Sequence, residues 1–370
     1  MSGEGKTGRA WIELDRAALE HNVNALSALL PPGCALMPAL KANAYGHGAV
    51  PTAKELNRLG VRTFCVAAAT EGAELRKAGI EGEILVLGYT HPALFPLLRD
   101  CTLSQTVTDC AYAEELSRFG QRLRVHIGID TGMHRLGVDW QNAEALVRIC
   151  RMEGLQVEGA FSHLCTGDRE YSLVQAGRLF QTVGRLRAAG QLIPKAHILS
   201  SGALLHFPEL GGDYARAGIA LYGLMSSREE AENCRAELHP VLSLKARVAS
   251  VRCIAPGEGA GYDLAFRARR ETKLAALSIG YADGLPRSLS NGVGRVLIRG
   301  REAPIAGLIC MDQTLVDATD VPDLRPGDEA VIIGSSGTKN RSAYDVAEQA
   351  GTITNEILSR LGGRLERILV

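Results

Sequence analysis

The sequence predicts an α/β barrel of the (β/α)8 TIM type followed by a C-terminal, mostly-β domain, and three observations predict it. Short apolar runs alternate with amphipathic helical stretches from residue 34 onward. The runs reach eight over about 200 residues, the rhythm of a parallel sheet closing on itself with helices outside. After "ELHPVLSLKARV" the texture changes to short strand-like runs separated by Gly, Pro and Asp turns. A length of 370 residues is long for one core and gives a prior of about two domains. The division falls near Pro240, with the barrel at 10–240 and the β domain at 241–370.

The opening "AWIELDRAALEHNVNALSALL" reads as a strand and a helix, and that strand could pair with either unit. The expected barrel strands are 35–40, 63–68, 83–87, 104–107, 123–129, 157–162, 196–200 and 216–221. Between them lie "TAKELNRLG", "TEGAELRKAG", "AYAEELSRFG" and "QNAEALVRICRMEG". Each places apolar residues at i, i+3 or i+4 and ends in Gly, a common helix stop. A doubly wound sheet gives no reason for the strand count to stop at eight. In the second unit "LKARVASVRCI", "KLAALSIGY", "VGRVLIRG", "APIAGLI" and "EAVIIGS" read as strands, with helical pattern returning only at Ala343.

Composition narrows the function classes. Lys plus Arg and Asp plus Glu both number 41, interspersed along the chain, which points to neither a nucleic-acid nor a membrane surface. Nine cysteines, without a C-x-x-C pair, argue against a disulfide framework or zinc knuckle. The start "MSGEGKTGRA" lacks an apolar signal core, and no apolar run approaches the roughly 20 residues of a membrane helix. The expectation is a cytoplasmic chain, with the option that it is the cytoplasmic part of a longer membrane-anchored protein.

The active site of such a barrel lies at the C-terminal ends of its strands. Lys41 and Tyr45 follow the first strand in "LKANAYGHG", and Arg135 follows the fifth in "DTGMHRLG". His163 ends the sixth in "FSHL", Ser200, Ser201 and Gly202 follow the seventh, and Arg216 and Gly218 enter the eighth in "RAGIALYG". Singly, each has a plain reading: a strand-end lysine, a core histidine, a helix N-cap serine. Together at five strand ends they suggest more. Ser201 and the amides around Gly202, Gly218 and Ile219 suit a phosphate, because small residues let N–H groups approach an anion. A lysine opposite a phosphate anchor is what pyridoxal 5'-phosphate requires. Arg216 could face its pyridine nitrogen and Arg135 a substrate carboxylate. "GEGAGYDLAF" precedes no helix, so a dinucleotide reading is weak. His126, His134 and His163 lack metal-ligand spacing, and no metal is expected.

At these residues the chain resembles the alanine racemase family, pyridoxal-phosphate enzymes with a barrel and a C-terminal β domain. The likeness runs from about Ala10 to the end, with "LKANAYGHG", "DTGMHRLG", "FSHL", "RAGIALYG", "IGYADG" and "CMDQ" in family order. The resemblance implies that Lys41 carries the cofactor and that Tyr262 is the second acid/base. It implies that Tyr45, Ser201, Gly218 and Ile219 hold the phosphate, that Arg216 meets the pyridine nitrogen, and that His163 lies between Arg216 and Tyr262. It gives Arg135 and Met311 to the substrate carboxylate and Tyr281 to the entrance. It also implies a homodimer whose partner supplies Tyr262 and Met311. A cationic network through His163 and Arg216 is then expected to favour the Tyr262 phenolate.

Three positions depart from the family pattern. "TITNEI" carries Asn355 where most relatives have a tyrosine that narrows the pocket. Asn removes the aromatic bulk and offers an amide to a hydroxyl. The same Asn occurs in the serine racemases of vancomycin resistance, so the resemblance is to their catalytic part, and the expected reaction is L/D interconversion of serine with secondary alanine activity. D-amino acids of this kind serve cell-wall precursors. Gly128 replaces a lysine that orients Arg135, and Ser200 replaces an Asn beside the phosphate serine. The alternatives are an alanine racemase and, from another class, a non-catalytic pyridoxal-phosphate-binding protein of cofactor homeostasis.

Overall fold

The computed structural model describes residues 8–370; the polar start, read above as lacking a signal core, lies mostly outside them. Strands Thr63–Val66, Glu83–Val86, Ser104–Val107, Leu123–Asp130, Leu155–Phe161 and Lys195–His197 are parallel neighbours in that order. Leu199–Ser200, Tyr214–Arg216 and Ala35–Leu36 form a second parallel set. The ring closes because Lys195–His197 runs on into Leu199–Ser200 after one residue, and because Ala39 bridges to Cys65. Eight strand positions with helices between them make the (β/α)8 barrel. Three of its helices start where short polar side chains satisfy free N–H groups: Asp109 accepts from Tyr112 N, Asn142 from Ala145 N, and Asp168 from Tyr171 N ahead of Arg169–Ala188.

Two expectations are corrected. The eighth strand is Tyr214–Arg216, not 216–221; Ile219–Tyr222 is a 3-10 turn. Arg216 therefore ends its strand and reaches the site face. The barrel unit does not begin at residue 10 either. Ala10–Leu14 pairs antiparallel with Leu242–Ile254 and parallel with Glu366–Leu369, so the first strand lies in the sheet of the β domain.

That domain is a nine-stranded, mainly antiparallel sheet built around the 13-residue strand Leu242–Ile254. Thr272–Leu277 and Glu329–Ser336 also pair with it. Expected strand 303–309 is displaced to Arg301–Pro304. Helix Ala343–Ala350 starts on a reciprocal Ser342/Asp345 capping box and is followed by Thr354–Ser359. This last helix docks on the barrel mouth, where Thr354 Oγ1 donates to Met225 O (2.6 Å), and from the C-terminal strand Glu366–Leu369, Arg367 Nε donates to Gly46 O (3.0 Å). Among the described residues no helix is long and apolar enough to cross a membrane.

Candidate active site

Lys41 starts an unusual turn. Ala42, Asn43, Ala44 and Tyr45 all have φ between 51° and 55°, a left-handed stretch that costs about 1–2 kcal/mol per residue. Side chains hold it. Glu71 Oε1 accepts from Ala42 N (2.8 Å) while its Oε2 accepts from Ala67 N, and Asn43 Oδ1 accepts from Ala49 N (2.7 Å). The glycines of "YGHG" answer to contact: a Cβ on Gly46 would stand 2.0 Å from the Leu358 carbonyl oxygen. His47 stacks on Tyr222 at 4.2 Å, and its Nδ1–H donates to the Ala44 and Tyr45 carbonyl oxygens. The turn leaves Lys41 half-buried and facing the barrel mouth. Glu71 was invisible in the sequence, where it reads as an ordinary first-turn acid.

A cavity of about 950 Å³ opens there, lined among others by Lys41, Tyr45, Arg135, His163, Ser201 and Arg216. Gly218, Ile219, Gly128 and Asn355 line it too. All the barrel residues expected at the site thus meet in one space. Tyr262, Met311 and Tyr281 are not among its lining residues. They lie on the β domain at 67%, 54% and 43% exposure, beside Leu264 at 53%. Tyr281 N donates to Cys310 O and Ala282 N to Met311 O, which puts Tyr281 and Met311 side by side on that face.

Arg216 is buried and tightly held. Nη2 donates to Ser162 O (2.6 Å), Nη1 to His197 Nδ1 (2.5 Å), and its plane lies over Phe161. Nε makes no hydrogen bond among the described residues. Burial brings the guanidinium down to about 10, so it stays protonated at neutral pH. His163 Nδ1 lies 3.4 Å from Arg216 Nη2. Burial first, then the charges of Arg216, Arg135 and Lys41, push His163 down to about 3. The imidazole is therefore neutral, and the positive charge of the His163/Arg216 pair is carried by Arg216.

Ser201 Oγ accepts from Gly218 N (2.8 Å) and Ala220 N (3.3 Å). The Gly218 amide is thus engaged by Ser201, whereas the Ile219 amide opens its 3-10 turn with no acceptor in the turn. A Cβ on Gly218 would lie 2.5 Å from the Tyr45 hydroxyl, so the two residues wall one small pocket. Burial pushes the Tyr45 phenol well above its usual value, which keeps the hydroxyl protonated as a donor. Arg135 is exposed and, among the described residues, makes no hydrogen bond or ion pair. Its loop is set by Asp130, whose Oδ1 accepts from Gly132 N and His134 N. A side chain at Gly128 would begin 3.1 Å from the Val107 carbonyl oxygen. Asn355 Oδ1 is buried with no hydrogen-bond partner.

Residues 14–226 match the family model of the alanine racemase N-terminal domain, and residues 241–369 that of the C-terminal domain. The chain belongs to the alanine racemase family. It is 39% identical over 369 residues to an alanine racemase of Halothermothrix orenii, covering 98% of this chain and 97% of that protein. It is 40% identical over 368 residues to an amino-acid racemase of Enterococcus faecalis, covering 98% of this chain but 52% of that protein. The chain spans about half that relative's length. The structure of the alanine racemase of Clostridium difficile 630 superposes with a TM-score of 0.92 at 32% identity, covering 99% and 97% of the two chains. That of Bacillus anthracis with bound L-Ala-P gives 0.92 at 31%, covering 99% and 96%.

The alanine racemase family is dependent on pyridoxal 5'-phosphate. The residues present fit that group. A lysine faces the cavity, a Ser201/Gly218 pocket with no room for a Cβ lies at its edge, and Arg216 keeps an unpartnered Nε. His197, His126 and Glu71 were not expected at the site; the histidines face inward on strands but are 71 residues apart in sequence.

Proposed function

We propose that this chain is a pyridoxal-phosphate-dependent amino-acid racemase that interconverts L- and D-serine, with secondary activity on alanine, as a homodimer with shared active sites. The observation that carries the serine reading is Asn355. Its carbonyl oxygen is buried without a partner while the residue lines the same cavity as Lys41. A substrate hydroxyl would supply the missing donor, and alanine has none. The relatives in Enterococcus faecalis bear the broader description "amino-acid racemase", which agrees with a substrate beyond alanine. Alanine as main substrate is the second reading, favoured by the other curated relatives' names.

The bound cofactor would delocalise the electron pair left when Cα loses its proton. Racemisation then needs a proton removed on one face and returned on the other, so two groups must flank Cα. Lys41 serves one face from the end of the first barrel strand. Tyr262 of the partner subunit serves the other. Its exposure, with that of Met311, Tyr281 and Leu264, supports burial of this face against the mouth of a second copy. Arg135, without a protein partner, is available to a substrate carboxylate, and Met311 of the partner subunit closes beside it. Tyr45, Ser201 and the Gly218–Ile219 backbone would hold the phosphate. Arg216, a cation at neutral pH, would face the ring nitrogen, where its charge would oppose protonation and limit side reactions. Formation of D-serine and D-alanine from the L-forms, compared as kcat/KM, tests the proposal. Higher efficiency on serine is expected; preference for alanine would select the second reading, and turnover of neither would remove both.

A further inference from the structure

A line of buried polar groups crosses the barrel interior behind Arg216. Arg216 Nη1 meets His197 Nδ1 at 2.5 Å, His197 Nε2 meets His126 Nδ1 at 3.0 Å, and His126 Nε2 lies 3.1 Å from Glu83 Oε1. Both histidines are fully buried. The last contact has ion-pair distance but is too oblique for a hydrogen bond in this geometry, and neither His126 Nε2 nor Glu83 Oε1 has a hydrogen-bond partner among the described residues. Glu83 opens its strand, at the end of the barrel opposite the cavity, and Tyr214 donates to its Oε2 at 2.9 Å. There Glu83, His126 and Glu158 come within 4.8 Å of one another. Arg124 and Ser104 engage Glu158, and Tyr214 engages Glu83, so this corner is filled by protein donors.

The chemistry of the two ends fixes every proton between them. A guanidinium only donates, and a carboxylate only accepts. His197 Nδ1 must therefore be bare, so its one proton sits on Nε2 and points at His126 Nδ1. That atom must be bare in turn, and the His126 proton on Nε2 points at Glu83. Reversing either ring sets two N–H groups face to face. A second proton on either ring does the same.

We propose that Glu83, His126 and His197 form a one-way hydrogen-bond chain that orients Arg216 toward the cofactor ring, and that these three are positioning residues for the reaction. The kinetic part rests on the racemase reading; the proton pattern does not. With Nη1 fixed by His197 and Nη2 by Ser162, Nε is the donor left for the cavity. Burial, together with the charge of Arg216, holds His197 well below its ordinary value, which keeps the ring neutral as the chain requires. Burial alone would raise Glu83, but His126, Tyr214 and Arg124 hold it below the usual carboxylate range, so the accepting end stays ionised. Phe161 stacks on His197 at 5.0 Å and restrains its tilt.

The test is made on the full-length protein loaded with its cofactor. Ring-nitrogen 15N shifts at neutral pH should show His126 and His197 neutral and protonated on Nε2. A doubly protonated ring, or a proton on either Nδ1, would overturn the chain without any substitution being made. Glu83→Gln keeps an acceptor at Oε1 and should retain kcat within about threefold. Glu83→Leu leaves a buried N–H unmet and should lower kcat about tenfold with KM changed less than about twofold, and shift the visible band of the bound cofactor. Glu83→Leu matching the parent in band and kcat would overturn the positioning role, as would equal losses in both variants. If the parent turns over neither amino acid, the 15N pattern and the cofactor band still decide the chain while the racemase reading falls.

Discussion

Replacing Asn355 should reset substrate choice without dismantling the site. The amide oxygen is buried and unpartnered, so a serine hydroxyl that reaches it makes a hydrogen bond where alanine leaves a desolvated acceptor. One such bond is worth about 1–3 kcal/mol, which converts to a serine-over-alanine factor between about fivefold and 150-fold. The lower half of that range is expected, because a water can enter beside alanine and satisfy the oxygen in part. Asn355→Ala should remove the factor, and Asn355→Tyr should remove it while also filling the space a larger side chain needs. The assay is kcat/KM for L-serine and L-alanine on all three proteins, with cofactor occupancy checked by absorbance. A serine-to-alanine ratio unchanged within twofold in both variants would refute the assignment.

Lys41→Ala should lose the visible absorbance of the lysine-bound cofactor and all racemisation, while far-UV circular dichroism stays as in the parent. Stability should fall as pH drops below the ordinary histidine range. Burial pushes His47 from 6.5 to about 4, so the unfolded chain takes up a proton there that the native state refuses. Stability is fully present above about pH 6.5 and is lost toward pH 4, by about 2 kcal/mol between pH 7 and 5. Urea midpoints across that range should show the slope reduced in His47→Gln. Gly46→Ala places a methyl 2.0 Å from the Leu358 carbonyl oxygen at a φ of +79°. It should cost about 3 kcal/mol in urea unfolding and weaken cofactor retention, because the Lys41 turn and helix Thr354–Ser359 meet there.

Strand rhythm, helix ends and strand-end chemistry were legible in the sequence because each is written in a few adjacent residues. Lys41, His163 and Ser201 fall at the mouth for that reason. What failed involved distant partners. "RAGIALYG" reads as a strand because it is apolar, but only Tyr214–Arg216 finds neighbours, at Leu199–Ser200 and Ala35–Leu36. Ala10–Leu14 carries no mark of its partners, which lie more than 200 residues away. The neutral state of His163 follows from burial beside three cations, a crowding that spacing along the chain does not reveal. His126 and His197 look like isolated core histidines until barrel closure sets them 3.0 Å apart.

The central claim is that each active site takes Lys41 from one copy and Tyr262 from another. Mixing Lys41→Ala and Tyr262→Phe subunits under exchange conditions tests it most directly. Each variant alone should be inactive. In a random mixture half of the dimers carry both kinds of subunit, and each of those has one intact site, so about a quarter of the parent activity should return. No recovery, with subunit exchange verified independently, would contradict the account and place both groups in the same copy.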